Sequence, residues 1–213
     1  VLNGARLARH SNVLDLRAGS GMFTWEALRR VPEGSVTALA RTERDADALR
    51  EMAQRLDTMR QPTILQGSIG ELPAMLAMRA EVTERASPAV FDAIVGFNAL
   101  VDVTDKGNHA ALLGGLLASQ GAISLAERIP RHTQRLYRLN GVGEVSPDLR
   151  ARWQAAEEAI YATGDPLVQW DADDLVRAFE QAGFSVVWET QQESSDFQVT
   201  PQVLQRWFGV GAT

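Results

Sequence analysis

The feature that most restricts the fold of this chain is a regular exchange of short apolar runs with amphipathic ones. "NVLDL" (12–16) reads as a strand, and "MFTWEALRR" (22–30) as a helix stopped by Pro32 and Gly34. "SVTALA" (35–40) is a second strand, followed by Ala46, Leu49, Met52, Ala53 and Leu56 at helical spacing. "TILQG" (63–67) is a third, backed by a broken helix in "IGELPAMLAMRAEV", and "FDAIVGF" (91–97) is a fourth. A helix in "HAALLGGLLASQG" closes at Gly121 and leads into a fifth strand, "AISLAE" (122–127). Strands separated by helices must pair in parallel through right-handed crossovers, so the predicted fold is α/β, a doubly wound, mostly parallel sheet.

Between 128 and 165 the rhythm breaks into a basic segment, a turn at "NGVGEVSP" and a helix opened by Ser146 and Pro147. Leu149, Trp153, Ala156 and Ile160 form one apolar stripe on that helix, which predicts a cap packed down over the sheet edge. "DADDLVRAFEQAG" (171–183) then reads as an acid-started helix, "FSVVWET" as a strand, "DFQVT" as a last strand and "PQVLQRWF" as a helix. The opening "VLNGARLARH" has helical character. With 213 residues the expected organisation is one domain over 1–213, and Val1 in first place suggests a piece of a longer chain.

Composition narrows the chemistry. There is no cysteine, which removes disulfides, thiolate metal sites and thiol nucleophiles. His10, His109 and His132 lack metal-ligand spacing, so no metal site is expected. The net charge of −6 argues against general nucleic-acid binding, and only a local basic face fits that work. No apolar run approaches the ~18 residues that cross a bilayer, and no charged-then-apolar leader opens the chain, so the cytoplasm is the expected compartment.

In an open parallel sheet, ligands sit at the carboxyl ends of the strands. Here that edge gathers residues 17–21, 40–42, 67–68 and 97–100. The element order, the acid that closes strand one, the glycines of "DLRAGSG" and the stretch "FDAIVGFNAL" together resemble class I S-adenosylmethionine-dependent methyltransferases. The resemblance implies a cofactor loop of the form acid-x-Gly-x-Gly-x-Gly. Asp15, Gly19 and Gly21 match it, Ala18 and Ser20 supply small residues, and Arg17 replaces the first glycine. It also implies an acid at Ala40 to grip the ribose hydroxyls and one at Ser68 near the adenine amine, and neither is there. A nicotinamide-type fingerprint fits worse, since it would need glycine at Thr24.

Acceptor chemistry narrows by exclusion. Cytosine C5 methylation requires a cysteine, and of the amino-methylating Asn-Pro-Pro-aromatic signature only Asn98 remains in "FNAL". Asp102 and Asp105 read as solvated loop acids. Arg128, Arg131, Arg135 and Arg138 are spaced for one helical face beside Tyr137. Two readings stand: the stripe meets phosphates or an acidic partner, or it pairs with Asp148, Glu157 and Glu158 of the next helix.

"DLRAGSGMFTWEALRRVPEG", "AERIPRHTQRLYRL" and "AAEEAIYA" also resemble the methyltransferase-like domain that follows an AAA+ ATPase module in some bacterial replication-associated recombination factor fusions. That resemblance implies an accessory domain with a weakened S-adenosylmethionine site, partnered by the ATPase module of the same longer chain or by another protein. The alternative is an active methyltransferase on a small-molecule or nucleic-acid acceptor.

Overall fold

Strands β1 (Asn12–Asp15), β2 (Ser35–Ala40), β3 (Thr63–Gln66), β4 (Phe91–Phe97) and β5 (Leu117–Ala126) form a sheet of order β3-β2-β1-β4-β5 with every pairing parallel. The computed structural model describes residues 1–83, 90–139, 145–162, 164–192, 198 and 200–208. Helices α1 (Met22–Arg30), α2 (Glu43–Ala53), α3 (Leu72–Val82) and α4 (Lys106–Leu116) follow the first four strands, and α5 (Pro147–Ala162), α6 (Ala172–Gln181) and α7 (Pro201–Phe208) follow the fifth. This is the Rossmann-like arrangement that the alternation predicts. None of the described helices is long and apolar enough to cross a membrane.

Both faces of the sheet are buried, which is why its strands read as continuous apolar runs. Successive residues divide between the layers: Val13, Ala93 and Val95 pack with Val36, Ala27 and Val31 on one face, while Leu14 and Ile94 pack with Leu39, Leu72 and Leu113 on the other. Val13 stands opposite Val36 on one side and Ala93 on the other, so β1 is central, with the reversal of strand order beside it.

The segment between β4 and α6 departs most from expectation. Helix α4 starts at Lys106, where Asp105 caps Asn108 N at 2.9 Å, and ends at Leu116 rather than Gly121. Leu117 already pairs with Phe91, whereas the next pair is Ala93 with Ala122, so residues 118–121 bulge out of the ladder. Gly121 is needed there because a Cβ would lie 2.7 Å from Leu117 Cγ, which is a strand requirement and not a helix stop.

The apolar stripe of α5 does not pack down: Leu149 is 53% and Ile160 55% exposed, and Trp153 is half-buried. The buried residue of that helix is Glu157, which accepts hydrogen bonds from Leu136 N (2.7 Å) and Tyr137 N (3.2 Å). The helix lies against the 3₁₀ turn Leu136–Arg138, whose backbone N–H groups demand an acceptor, and that demand sets which face turns inward. Residues 140–144, within the predicted "NGVGEVSP" turn, lie outside the described set.

The basic segment is likewise not one helical face, because Pro130–His132 and Leu136–Arg138 are separate 3₁₀ turns joined by extended residues. Arg131 pairs with Asp171 at 2.8 Å, Arg135 lies over the Tyr161 ring with Glu158 3.6 Å away, and Arg138 Nε donates to the Tyr137 hydroxyl at 3.0 Å. Arg128 is exposed.

The opening residues form turns instead of a helix, with Leu2 and Ala5 buried against the α1 layer. The run 184–190 forms no strand, and Val187 is 96% exposed. β-propensity measures fit to a pleated surface, and this run pairs with no strand of the sheet. Of the predicted strand at 196–200, residues 196, 197 and 199 lie outside the described set.

Candidate functional site

The four predicted stretches do converge. A cleft of about 440 Å³ opens at the carboxyl ends of β1 to β4, lined by Arg17, Arg41, Ser68, Glu71, Ala99, Asp102 and His109 among others. Its floor is made by Leu16, Leu39, Ile69 and Val103, whose side chains belong to the core beneath.

Of the turn after β1, residues 17–21, only Arg17 lines the cleft. Gly19 (φ +47°) and Gly21 (φ +82°) adopt left-handed backbone, and Ala18 N donates to Leu39 O at 3.0 Å. Gly21 is the N-cap of α1, which has no side-chain cap and no acid in its first turn. A Cβ at Gly21 would lie 2.3 Å from Trp25 Nε1, so the indole and the left-handed backbone together account for that glycine. At Gly19 the nearest atom to a Cβ would be Arg17 O at 3.8 Å, leaving its face open. Ser20 is exposed.

Asp15 is not in the cleft. It is 1% exposed, and Thr24 Oγ1 donates to its Oδ2 at 2.7 Å, tying β1 to α1; burial pushes its carboxyl up. Ala40 is fully buried, packed with Ala18, Ala38, Ala46, Leu49 and Trp25. It offers no acceptor to a ribose. Ser68 Oγ and Ser68 N both donate to Glu71 Oε2 at 2.7 Å, and these bonds hold the Glu71 carboxyl below its ordinary range. The carboxylate absent at 68 is thus present three residues on, but turned back on the chain. Asn98 has φ +53°, its N donates to Ala126 O at 2.8 Å and its Oδ1 accepts from Arg128 N at 2.9 Å, so its side chain braces β5.

Arg17 donates to Asn98 O at 2.6 Å and stands 3.5 Å from Asp102 Oδ1; Arg41 forms an ion pair with Asp102 Oδ2. Two guanidinium groups, carried by the turns after adjacent strands, meet on one carboxylate across the cleft. Asp102 is therefore no merely solvated loop acid, while Asp105 is the α4 cap. His109 lies on the rim with Nδ1 2.8 Å from Asp105 O, and no described cluster of His, Asp or Glu could hold a metal ion.

Sequence reasoning passes over Arg41 and Glu127. Arg41 is the first exposed residue beyond β2, and Glu127 follows the last residue of β5, so both lie on the edge where ligand chemistry is sought. Glu127 accepts from Ala99 N (2.8 Å) and Leu100 N (3.2 Å). Burial pushes its carboxyl up to about 7, against the pull of those N–H groups and of Arg17 and Lys106. Lys106 Nζ donates to Val103 O at 2.8 Å beneath the Trp170 ring. The loop after β4 is thus held by Arg17, Glu127 and Lys106 at once.

The fold matches the Rossmann-like fold of several solved methyltransferases. A mycolic acid cyclopropane synthase, solved with S-adenosylhomocysteine and CTAB, superposes with a TM-score of 0.59 at 14% identity, over 88% of this chain and 59% of its own. The cyclopropane synthase MmaA2 from Mycobacterium tuberculosis gives 0.58 at 16% identity, over 88% and 59%. An arsenic(III) S-adenosylmethionine methyltransferase from Chlamydomonas reinhardtii gives 0.55 at 20% identity, over 84% and 53%. The chain therefore spans less than two thirds of the length of each of these proteins. No protein-family model and no curated protein sequence matches it.

Proposed function

We propose that this domain keeps the methyltransferase architecture without the groups that anchor S-adenosylmethionine, and serves as an accessory domain. The observation that carries this reading is the pairing of Arg17 and Arg41 on Asp102 across the cleft, together with the full burial of Ala40 outside it. A carboxylate bonded to ribose or amine hydrogens contributes about 1.5–3 kcal/mol per hydrogen bond, so two missing acids weaken binding by roughly a hundredfold or more. In this reading the nucleotide-driven chemistry belongs to an ATPase module of a longer chain, an inference supported by the sequence resemblance, and this domain docks or guides it. Titration with S-adenosylmethionine and S-adenosylhomocysteine in a calorimeter tests the cofactor part. No heat of binding is expected at sub-millimolar ligand, and micromolar binding would restore the active methyltransferase. Loss of ATPase coupling on deleting the domain from the longer chain tests the accessory role.

A further inference from the structure

We infer that the cleft at the strand ends binds the phosphoryl group of a small anionic ligand, with Arg17 and Arg41 as a clamp and Asp102 as the internal anion that the ligand displaces. The inference rests on the reading that the adenosyl cofactor's carboxylate anchors are missing from this cleft.

Where that cofactor needs acceptors for its hydroxyl and amine hydrogens, this chain presents donors. The guanidinium groups come from two neighbouring turns, after β1 and after β2, and converge on one point. A forked cation pair suits a tetrahedral oxyanion, because planar guanidinium groups donate two parallel hydrogen bonds each. In the described structure the point of convergence holds Asp102, a single negative charge against two positive ones. Glu71, another carboxylate on the cleft, is turned onto Ser68.

A ligand has access to the clamp. The Arg17 and Asp102 side chains are 31% and 30% exposed and that of Arg41 is 55% exposed, so the triad lies at the cleft mouth and not in the core. The cleft, at about 440 Å³, is in the range of small-molecule sites, and Arg17, Arg41 and Asp102 all line it. Arg17 also keeps its bond to Asn98 O, which holds the guanidinium in place when Asp102 is displaced.

Calorimetry with four probes tests the proposal: inorganic pyrophosphate, ADP, adenosine and S-adenosylhomocysteine. Pyrophosphate and ADP are expected to bind with an affinity that falls with added salt, and adenosine is not. Asp102→Asn should raise the affinity for both anions about tenfold, and Arg41→Ala, an exposed substitution, should lower it at least tenfold with the melting temperature unchanged. ADP binding more tightly than pyrophosphate identifies a nucleotide as the ligand, and equal binding identifies the phosphoryl group alone. Absence of anion binding in both the unmodified domain and Asp102→Asn overturns the proposal, as does indifference to Arg41→Ala. Micromolar binding of S-adenosylhomocysteine overturns the accessory-domain reading instead, so the two failures are distinguishable.

Discussion

The Arg17 guanidinium donates to the Asn98 carbonyl oxygen at 2.6 Å, and so ties the turn after β1 to a loop residue held at a positive φ. A partly buried hydrogen bond from a charged donor is worth about 1.5–3 kcal/mol, and solvent at this half-exposed site reduces it. Arg17→Ala is expected to lower stability by about 1 kcal/mol in urea unfolding and to speed amide exchange at Ala99 and Leu100. Unchanged exchange in that loop would show that Glu127 and Lys106 hold it without Arg17.

The two glycines of the turn should respond differently to the same methyl group. At Gly21 an alanine meets both the left-handed backbone and Trp25 Nε1 at 2.3 Å, whereas at Gly19 it meets the backbone cost alone. Left-handed backbone costs an ordinary residue roughly 1–2 kcal/mol, and overpacking adds roughly 1–3. Gly21→Ala should therefore cost about 3 kcal/mol and Gly19→Ala about 1. Truncating Trp25 to alanine should recover part of the Gly21→Ala loss in a double-mutant cycle. Equal costs at the two positions would contradict the packing account.

Glu127 makes stability depend on pH. Its carboxyl titrates near 7 in the folded chain against an ordinary 4.5, so between these values the folded chain holds a proton that the unfolded chain has released. Stability must then fall as pH rises from 4.5 to 7, a contribution of about 3 kcal/mol at most. Asp15, also raised by burial, acts with the same sign, so the comparison is between the unmodified chain and Glu127→Gln. The glutamine keeps an acceptor oxygen for Ala99 N and Leu100 N and cannot ionise. It should flatten the slope of urea midpoints between pH 5 and pH 8 and add about 2 kcal/mol at pH 8. A slope left intact by the substitution would place the titrating group elsewhere.

The sequence alone determined the parts of this molecule whose signals are local or periodic. β1 and β4 are legible because strands buried on both faces must be apolar throughout, as in "NVLD" and "FDAIVGF". Helix α6 is legible because Asp171 and Asp174 cap each other's backbone at its start and Gly183 takes a positive φ just past its end. Parallel pairing follows from the alternation, and with it the cleft at the strand ends. Tertiary structure decided whatever depends on a partner distant in sequence. The apolar spacing of α5 is real, yet Glu157 faces inward because the turn at Leu136 and Tyr137 needs an acceptor. The run 184–190 has strand composition but pairs with no strand of the sheet, and Gly121 serves a bulge opposite Asp92 in place of a helix end. Arg17, Arg41 and Asp102 lie far apart along the chain, and only the crossovers that put β1 between β2 and β4 bring their charges together. Spacing along a chain reports which face a residue shares with its neighbours; the charge it meets across a cleft depends on the order in which strands pair.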